Sequence, residues 1–159
     1  MARVAVAVVF VWNVQCALWF LLFPTEAAAG FGLSGAVGEA AIRGIAVAFL
    51  MWNATYPLVL INPVRHLALF GVVLAQQLIG LIGESWIFWT LLPARAAEAA
   101  AATATAATTE AAAAATATAT EAATAMSASI LRFIAFDAAG LLLMSAAFAF
   151  LLHSQRHAG

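Results

Sequence analysis

Lysine is absent from the 159 residues, and only 8% of them are charged. The six basic residues are all Arg and stand against seven acidic ones, for a net charge of −1. That balance excludes the electrostatic footprint of a nucleic-acid-binding protein and of a basic membrane-surface patch. Cys16 is the single cysteine, so no disulfide forms within the chain, and its place in an apolar run reads as packing. There is no P-loop, no Gly-x-Ser-x-Gly and no Cys–His arrangement. The three histidines, His66, His153 and His157, fall at one edge of the apolar segments. Haem held between helices needs inward ligands, and a solvated surface role outweighs a weak interfacial metal site. The expectation is a protein that is not an enzyme, with no cofactor and no metal.

What is present is apolar. Hydrophobic residues make up 66% of the chain, and mean hydropathy is +1.05. Soluble domains are about a quarter charged, so composition points to a membrane protein, although the Ala-rich tract at 96–125 inflates both figures. Four runs reach the roughly 20 residues that a 30 Å hydrocarbon core demands: 4–23, 42–61, 67–92 and 130–152. Each must be helical in lipid, where unpaired backbone groups find no water. Pro24, the Asn62–Pro63 pair and Pro93 are expected to end the first three. The first run exceeds the typical signal-peptide core of about 7–15 residues and reads as a retained helix. Trp19, Trp86 and Trp89 lie near predicted ends, where indole rings favour the interface, while Trp12 and Trp52 read as packing residues.

The connections differ. Residues 24–40 are Gly-rich and irregular, with a partly re-entrant path as one reading. Residues 62–66, "NPVRH", form a tight turn between antiparallel helices. The third connection holds "EAAAATATAATTEAAAAATATATEAATA" (98–125), a rough repeat with Glu98, Glu110 and Glu121 spaced by twelve and eleven. Ala favours helix and Thr is mediocre, so 94–129 is either an isolated helix or a disordered linker, and a linker grown by repeat expansion is preferred. Arg counts tie at three on each side of the predicted membrane, so the positive-inside rule does not decide orientation. The long acidic connection and the amino terminus favour both termini in the cytoplasm. All-Arg basic residues and heavy Ala usage suggest a GC-rich bacterial coding sequence, hence a bacterial inner membrane.

Charged side chains inside a span cost about 2.5–3.5 kcal/mol at the centre and so point to sites. Arg43, Glu84, Arg132 and Asp137 all fall in one half of the predicted bundle. At 1.5 Å per residue, Asp137 is about 7–8 Å deeper than Arg132, and Glu84 lies about 12 Å before Leu92. Arg132 and Asp137 are five residues apart, about 140° around a helix, so each is expected to seek a partner elsewhere: Arg132 with Glu84, Asp137 with Arg43. Glu39 and Arg43 pair if the second helix starts early enough to include both. Such a cluster either fixes helix register or binds a ligand or ion. A milder polar layer near mid-membrane comprises Asn13, Gln15, Asn53, Thr55, Gln76 and Gln77, amides and a hydroxyl read chiefly as interhelical glue. Gly44/Ala48, Gly71/Ala75 and Ala135/Ala139 are small-residue pairs suited to close packing.

The stretch "IRGIAVAFLMWNATYPLVLINPVRHLALFGVVLAQQLIGLIGE" (42–84) resembles small four-helix bacterial inner-membrane proteins grouped as families of unknown function. The matching positions are Arg43, Gly44, Pro63, Arg65, His66, Glu84 and, loosely, Asp137. The resemblance implies architecture and no activity, and the Ala/Thr tract lies outside it. The expectation is therefore an all-α, four-helix transmembrane bundle with a low-complexity Ala/Thr insert between its third and fourth helices. Its expected role is that of an accessory or small-ligand- or lipid-binding membrane protein, alone or with other membrane subunits or copies of itself. A small proton- or ion-coupled transporter using Glu84 and Asp137 is the alternative.

Overall fold

Long apolar runs with few helix breakers have one way to satisfy every backbone group locally, and they take it. The computed structural model describes residues 1–106 and 110–157, with side chains described for 1–90, 97, 101, 114 and 117–157. The described chain is helical throughout and contains no strand: α1 (Ala2–Leu22), α2 (Pro24–Ala29), α3 (Gly35–Asn53), α4 (Tyr56–Ile61), α5 (Leu67–Ala106) and α6 (Glu110–Arg156). Among the described residues, four segments are long and apolar enough to cross a membrane: Ala2–Leu22, Gly35–Ile61, Leu67–Thr90 and a window within Ala117–Arg156. Only 28, 22, 17 and 22% of those windows is buried inside the fold, so each leaves much of its apolar surface uncovered. Val8, Val11, Ile79, Ile82, Trp86 and Leu142 lie on that outer surface, an apolar expanse that water does not favour.

Three boundaries differ from expectation. The 24–40 connection is mostly helical. Pro24 takes the first turn of α2, where its missing N–H costs nothing. The chain then closes with Gly32 N–H on the Ala29 carbonyl (3.0 Å) and Leu33 N–H on the Ala28 carbonyl (2.9 Å). With Gly32 at φ +66°, this is a Schellman closure. A Cβ at Gly32 would meet the Ala122 carbonyl at 2.8 Å, so this turn lies directly against α6. The second span starts earlier than 42, at Gly35, and is interrupted between α3 and α4 at residues 54–55. Pro57 has no N–H to offer the Asn53 carbonyl, which breaks the ladder there. Asn53 Nδ2 instead donates to the Phe49 carbonyl (2.8 Å) and Thr55 Oγ1 to that of Trp52 (3.4 Å). Finally, Pro93 does not end the third helix: α5 continues through it to Ala106, although its apolar segment stops at Thr90. The Ala-rich sequence beyond has high helix propensity. The Ala/Thr tract is thus shared between the ends of α5 and α6 instead of standing as an isolated helix. Residues 107–109 of that tract, and the side chains of Arg95, Glu98 and Glu110, lie outside the described residues.

The packing has two apolar clusters. One holds Ala5, Val6 and Val9 of α1, Tyr56 and Val59 of α4, Phe70 and Val73 of α5, and Met144 and Ala147 of α6. The other holds Phe20, Ala27, Ala28, Ile42 and Ala46, with Phe31 and Phe133 against it. At the end nearer the first cluster, Arg3 Nη2 donates to the Ile61 carbonyl (2.7 Å). The Asn62 side chain accepts from the Arg65 N–H (3.0 Å) and tightens the turn. Met1, the 62–64 turn and Ser154 line one cleft, so the described ends of the chain and this turn meet at that end of the bundle.

Candidate functional site

The clusters are separated by a polar layer, and each helix encodes it in its inward stripe. On α1 the stripe runs Val6, Val9, Asn13, Ala17, Phe20, at helical spacing. On α3 and α4 it runs Ile42, Ala46, Asn53, Tyr56, Val59. On α5, Phe70 and Val73 give way to Gln77, Gly80 and Glu84, again three and four residues apart. On α6, Asp137 sits between Phe133 and the Gly140–Met144 pair. Apolar positions change to polar at the same level of every stripe.

The polar groups reach one another. Asn13 Nδ2 donates to Asn53 Oδ1 (3.4 Å). The Tyr56 hydroxyl donates to Gln77 Oε1 (3.4 Å), and Gln77 Nε2 donates to Asp137 Oδ1. Asn53 and Gln77 are both buried, at 3% exposure each, so these hydrogen bonds supply partners that burial would otherwise deny them. Beside the network is a cavity of about 50 Å³, lined by Asn13, Phe49, Trp52, Asn53, Gln77, Gly80, Glu84, Phe133 and Asp137. That is room for a few waters or one small ion. Phe49 and Phe133 close it on the side of the second cluster, where their rings and those of Phe20 and Phe31 lie about 6 Å apart in edge-on and stacked pairs.

Two glycines set the approach of the helices. A Cβ on Gly80 would overlap Asp137 Oδ2, and one on Gly140 would meet Gln77 Nε2 and Val9 Cγ2 at 3.2 Å. The carboxylate of Asp137 thus rests on the bare backbone of α5. The small-residue pairs expected to do this work do not. A Cβ at Gly44 or Gly71 would meet nothing within 4 Å, and Ala48, Ala75, Ala135 and Ala139 are exposed.

Of the expected ion pairs, Arg132–Glu84 and Asp137–Arg43 do not form, and Glu39–Arg43 does. Arg43 pairs with Glu39 at 3.5 Å, half-exposed on α3, because α3 begins at Gly35 and holds both one turn apart. Arg132 does not meet Glu84. It is exposed and lines an outer groove with Trp12, Trp19 and Glu26. Its five-residue offset explains this: Asp137 points inward, so Arg132 points about 140° away. Glu84 and Asp137 share the cavity, and no cationic side chain is among the residues lining it. One carboxylate oxygen of Glu84, Oε2, is buried without a hydrogen-bond partner from the chain. Within the amide layer, Gln15 faces outward because two residues from Asn13 is about 200° of helix. Gln76 keeps a buried Oε1 without a partner and lies outside the cavity.

Tyr56, Trp52 and Gly80 were not singled out for this site by sequence. Tyr56 lies three residues from Asn53, and Gly80 lies between Gln77 and Glu84 on one stripe, so helical spacing does carry the signal. Chemically, the site offers oxygen donors and two carboxylates in a low-dielectric setting. Holding both as anions costs several kcal/mol each unless a positive charge joins them. Oxygen donors suit a proton or a hard cation better than a soft transition metal. No family model, no curated protein and no solved structure matches the chain.

Proposed function

We propose that the chain is a multi-pass, non-catalytic membrane protein whose buried polar cavity binds a small cation or a proton. The observation that carries this is the convergence of Glu84 and Asp137 on one cavity with no cationic side chain lining it. The outward-facing apolar surface supports placement in a bilayer. The resemblance of 42–84 to small four-helix bacterial inner-membrane proteins supports the inner membrane as the site of residence. In that reading the end bearing Arg3, the 62–66 turn and Ser154 faces the cytoplasm. The charged lining is the ligand-binding element, with Gln77 holding Asp137 in place and Tyr56 bonded in turn to Gln77.

A second reading, a proton- or ion-coupled carrier, is favoured by one feature: the span Gly35–Ile61 is interrupted at 54–55, beside cavity residues Trp52 and Asn53. Interrupted helices at mid-membrane recur where transporters hold ions. Reconstitution of wild type, Glu84→Gln and Asp137→Asn into liposomes separates the two. Binding of sodium ions or protons that the variants lose, without flux under an imposed gradient, supports the binding protein. Flux that both variants lose supports the carrier. Neither binding nor flux in wild type defeats both, and failure of the wild type to insert defeats the membrane placement itself.

A further inference from the structure

The outer face where α1 meets α6 carries a groove of about 270 Å³, which shares Phe133 with the lining of the cavity. Its walls are aromatic: Trp12, Trp19, Phe31 and Phe133. Two opposite charges, Glu26 and Arg132, also line it. They do not pair with each other, the Glu39–Arg43 contact being the ion pair found among the described residues. Trp12, Cys16 and Trp19 also border a second groove of about 310 Å³ on the other flank of α1. The charges belong to the level of α2 and the first turns of the α6 span. Trp12 lies seven residues beyond Trp19 toward the bundle centre, about 10 Å.

We propose that this groove is a binding site for a zwitterionic phospholipid, and the inference rests on the membrane placement argued above. The charge pattern selects the occupant. Arg132 offers a planar fork suited to a phosphate. Glu26 meets the ammonium that a zwitterionic headgroup carries beside its phosphate, and an indole face such as that of Trp19 attracts the same cation. An anionic headgroup satisfies Arg132 but sets a negative charge against Glu26. An uncharged glycolipid satisfies neither. Below the headgroup, acyl chains run along the Trp12–Cys16–Trp19 ridge, one in each flanking groove. An unpaired Arg and an unpaired Glu at the rim of a lipid-facing aromatic trough thereby acquire partners that the protein does not provide.

The test uses the full chain with Trp86→Phe and Trp89→Phe, which removes two exposed reporters that do not line the groove and leaves Trp12 and Trp19 on it and Trp52 at the inner cavity. In maltoside micelles, which contain no phosphate, the protein is titrated with lipids brominated on the acyl chain and bearing phosphoethanolamine, phosphoglycerol or diglucosyl headgroups. Tryptophan quenching is expected at the lowest concentration for phosphoethanolamine, with the midpoint for the diglucosyl lipid about tenfold higher, the scale of a charge-assisted hydrogen bond. Arg132→Gln should erase the advantage of phosphoglycerol over the glycolipid and shrink that of phosphoethanolamine to what Glu26 supplies, and Arg132→Lys should restore part of both. Glu26→Gln should bring phosphoglycerol level with phosphoethanolamine. Equal midpoints for all three headgroups in the unsubstituted groove would overturn the site while leaving the membrane placement intact. Tighter binding of phosphoglycerol would overturn the zwitterionic assignment. Absence of quenching by any lipid would overturn the membrane placement as well.

Discussion

At the scale of single residues, Gly80 is the most constrained position in the site. Its missing side chain is the space that Asp137 occupies. Gly80→Ala should cost about 1–3 kcal/mol, the usual range for overpacking, and should abolish cation binding by moving the carboxylate. Gly83→Ala, three residues along where a Cβ meets nothing within 4 Å, should be neutral or slightly stabilising, because Ala is the better helix former. Thermal unfolding of both variants in one detergent checks the contrast. Gln77 is a second such position, since it bridges Tyr56 and Asp137. Gln77→Ala should destabilise by about 1–3 kcal/mol by stranding buried polar groups. A double-mutant cycle with Asp137→Asn should show coupling, and purely additive losses would remove Gln77 from the network.

At the scale of elements, the same helical arithmetic succeeded in one respect and fell short in another. Apolar runs located four long apolar helical segments, and the five-residue offset on the last one separated Arg132 from Asp137. Which partner each would find was not legible, because spacing fixes a direction around one helix and says nothing of its neighbour's rotation. Asp137 took an amide from α5, whereas the Glu39–Arg43 pair, one turn apart on a single helix, was legible from spacing alone. The break at 54–55 was encoded by Pro57, whose effect falls four residues upstream, at a place that hydropathy alone does not mark. Pro93, by contrast, looked like a terminus and was not, since long Ala-rich sequence beyond it favours helix more than one proline opposes it. Two outcomes follow at this scale. Arg43→Ala should lower stability by no more than about 0.5 kcal/mol, because an exposed i,i+4 pair contributes little. A loss several times larger in unfolding measurements would mean that Arg43 has a buried partner. Pro57→Ala restores the N–H facing the Asn53 carbonyl, so amide exchange across 54–58 should slow. Unchanged exchange would mean that Pro57 is not what holds the break open.

At the scale of the whole molecule, both apolar clusters, the network and the cavity are built from residues between Ala5 and Glu84 and between Phe133 and Ala147. Among the described residues between them, none lines the cavity, Ala122 lies beneath Gly32 and Ser129 Oγ donates to the Gly30 carbonyl. Replacing 98–116 by a short Gly/Ser linker should therefore leave thermal stability and cation binding unchanged within error, while replacing 98–125 should lower stability by undoing the Gly32 contact. A loss of binding in the shorter replacement would give the tract a part in the site. At 40 and 47 residues, α5 and α6 extend to about 60 and 70 Å at 1.5 Å per residue, roughly twice a hydrocarbon core. The surplus leaves the bundle at the end opposite the 62–66 turn, so the proposed placement in a bilayer gives the protein a profile as lopsided as a keel. Averaged density across a proteoliposome wall would show mass outside one leaflet only. The direction of insertion, on which the evenly divided arginines are silent, could then be read from the silhouette.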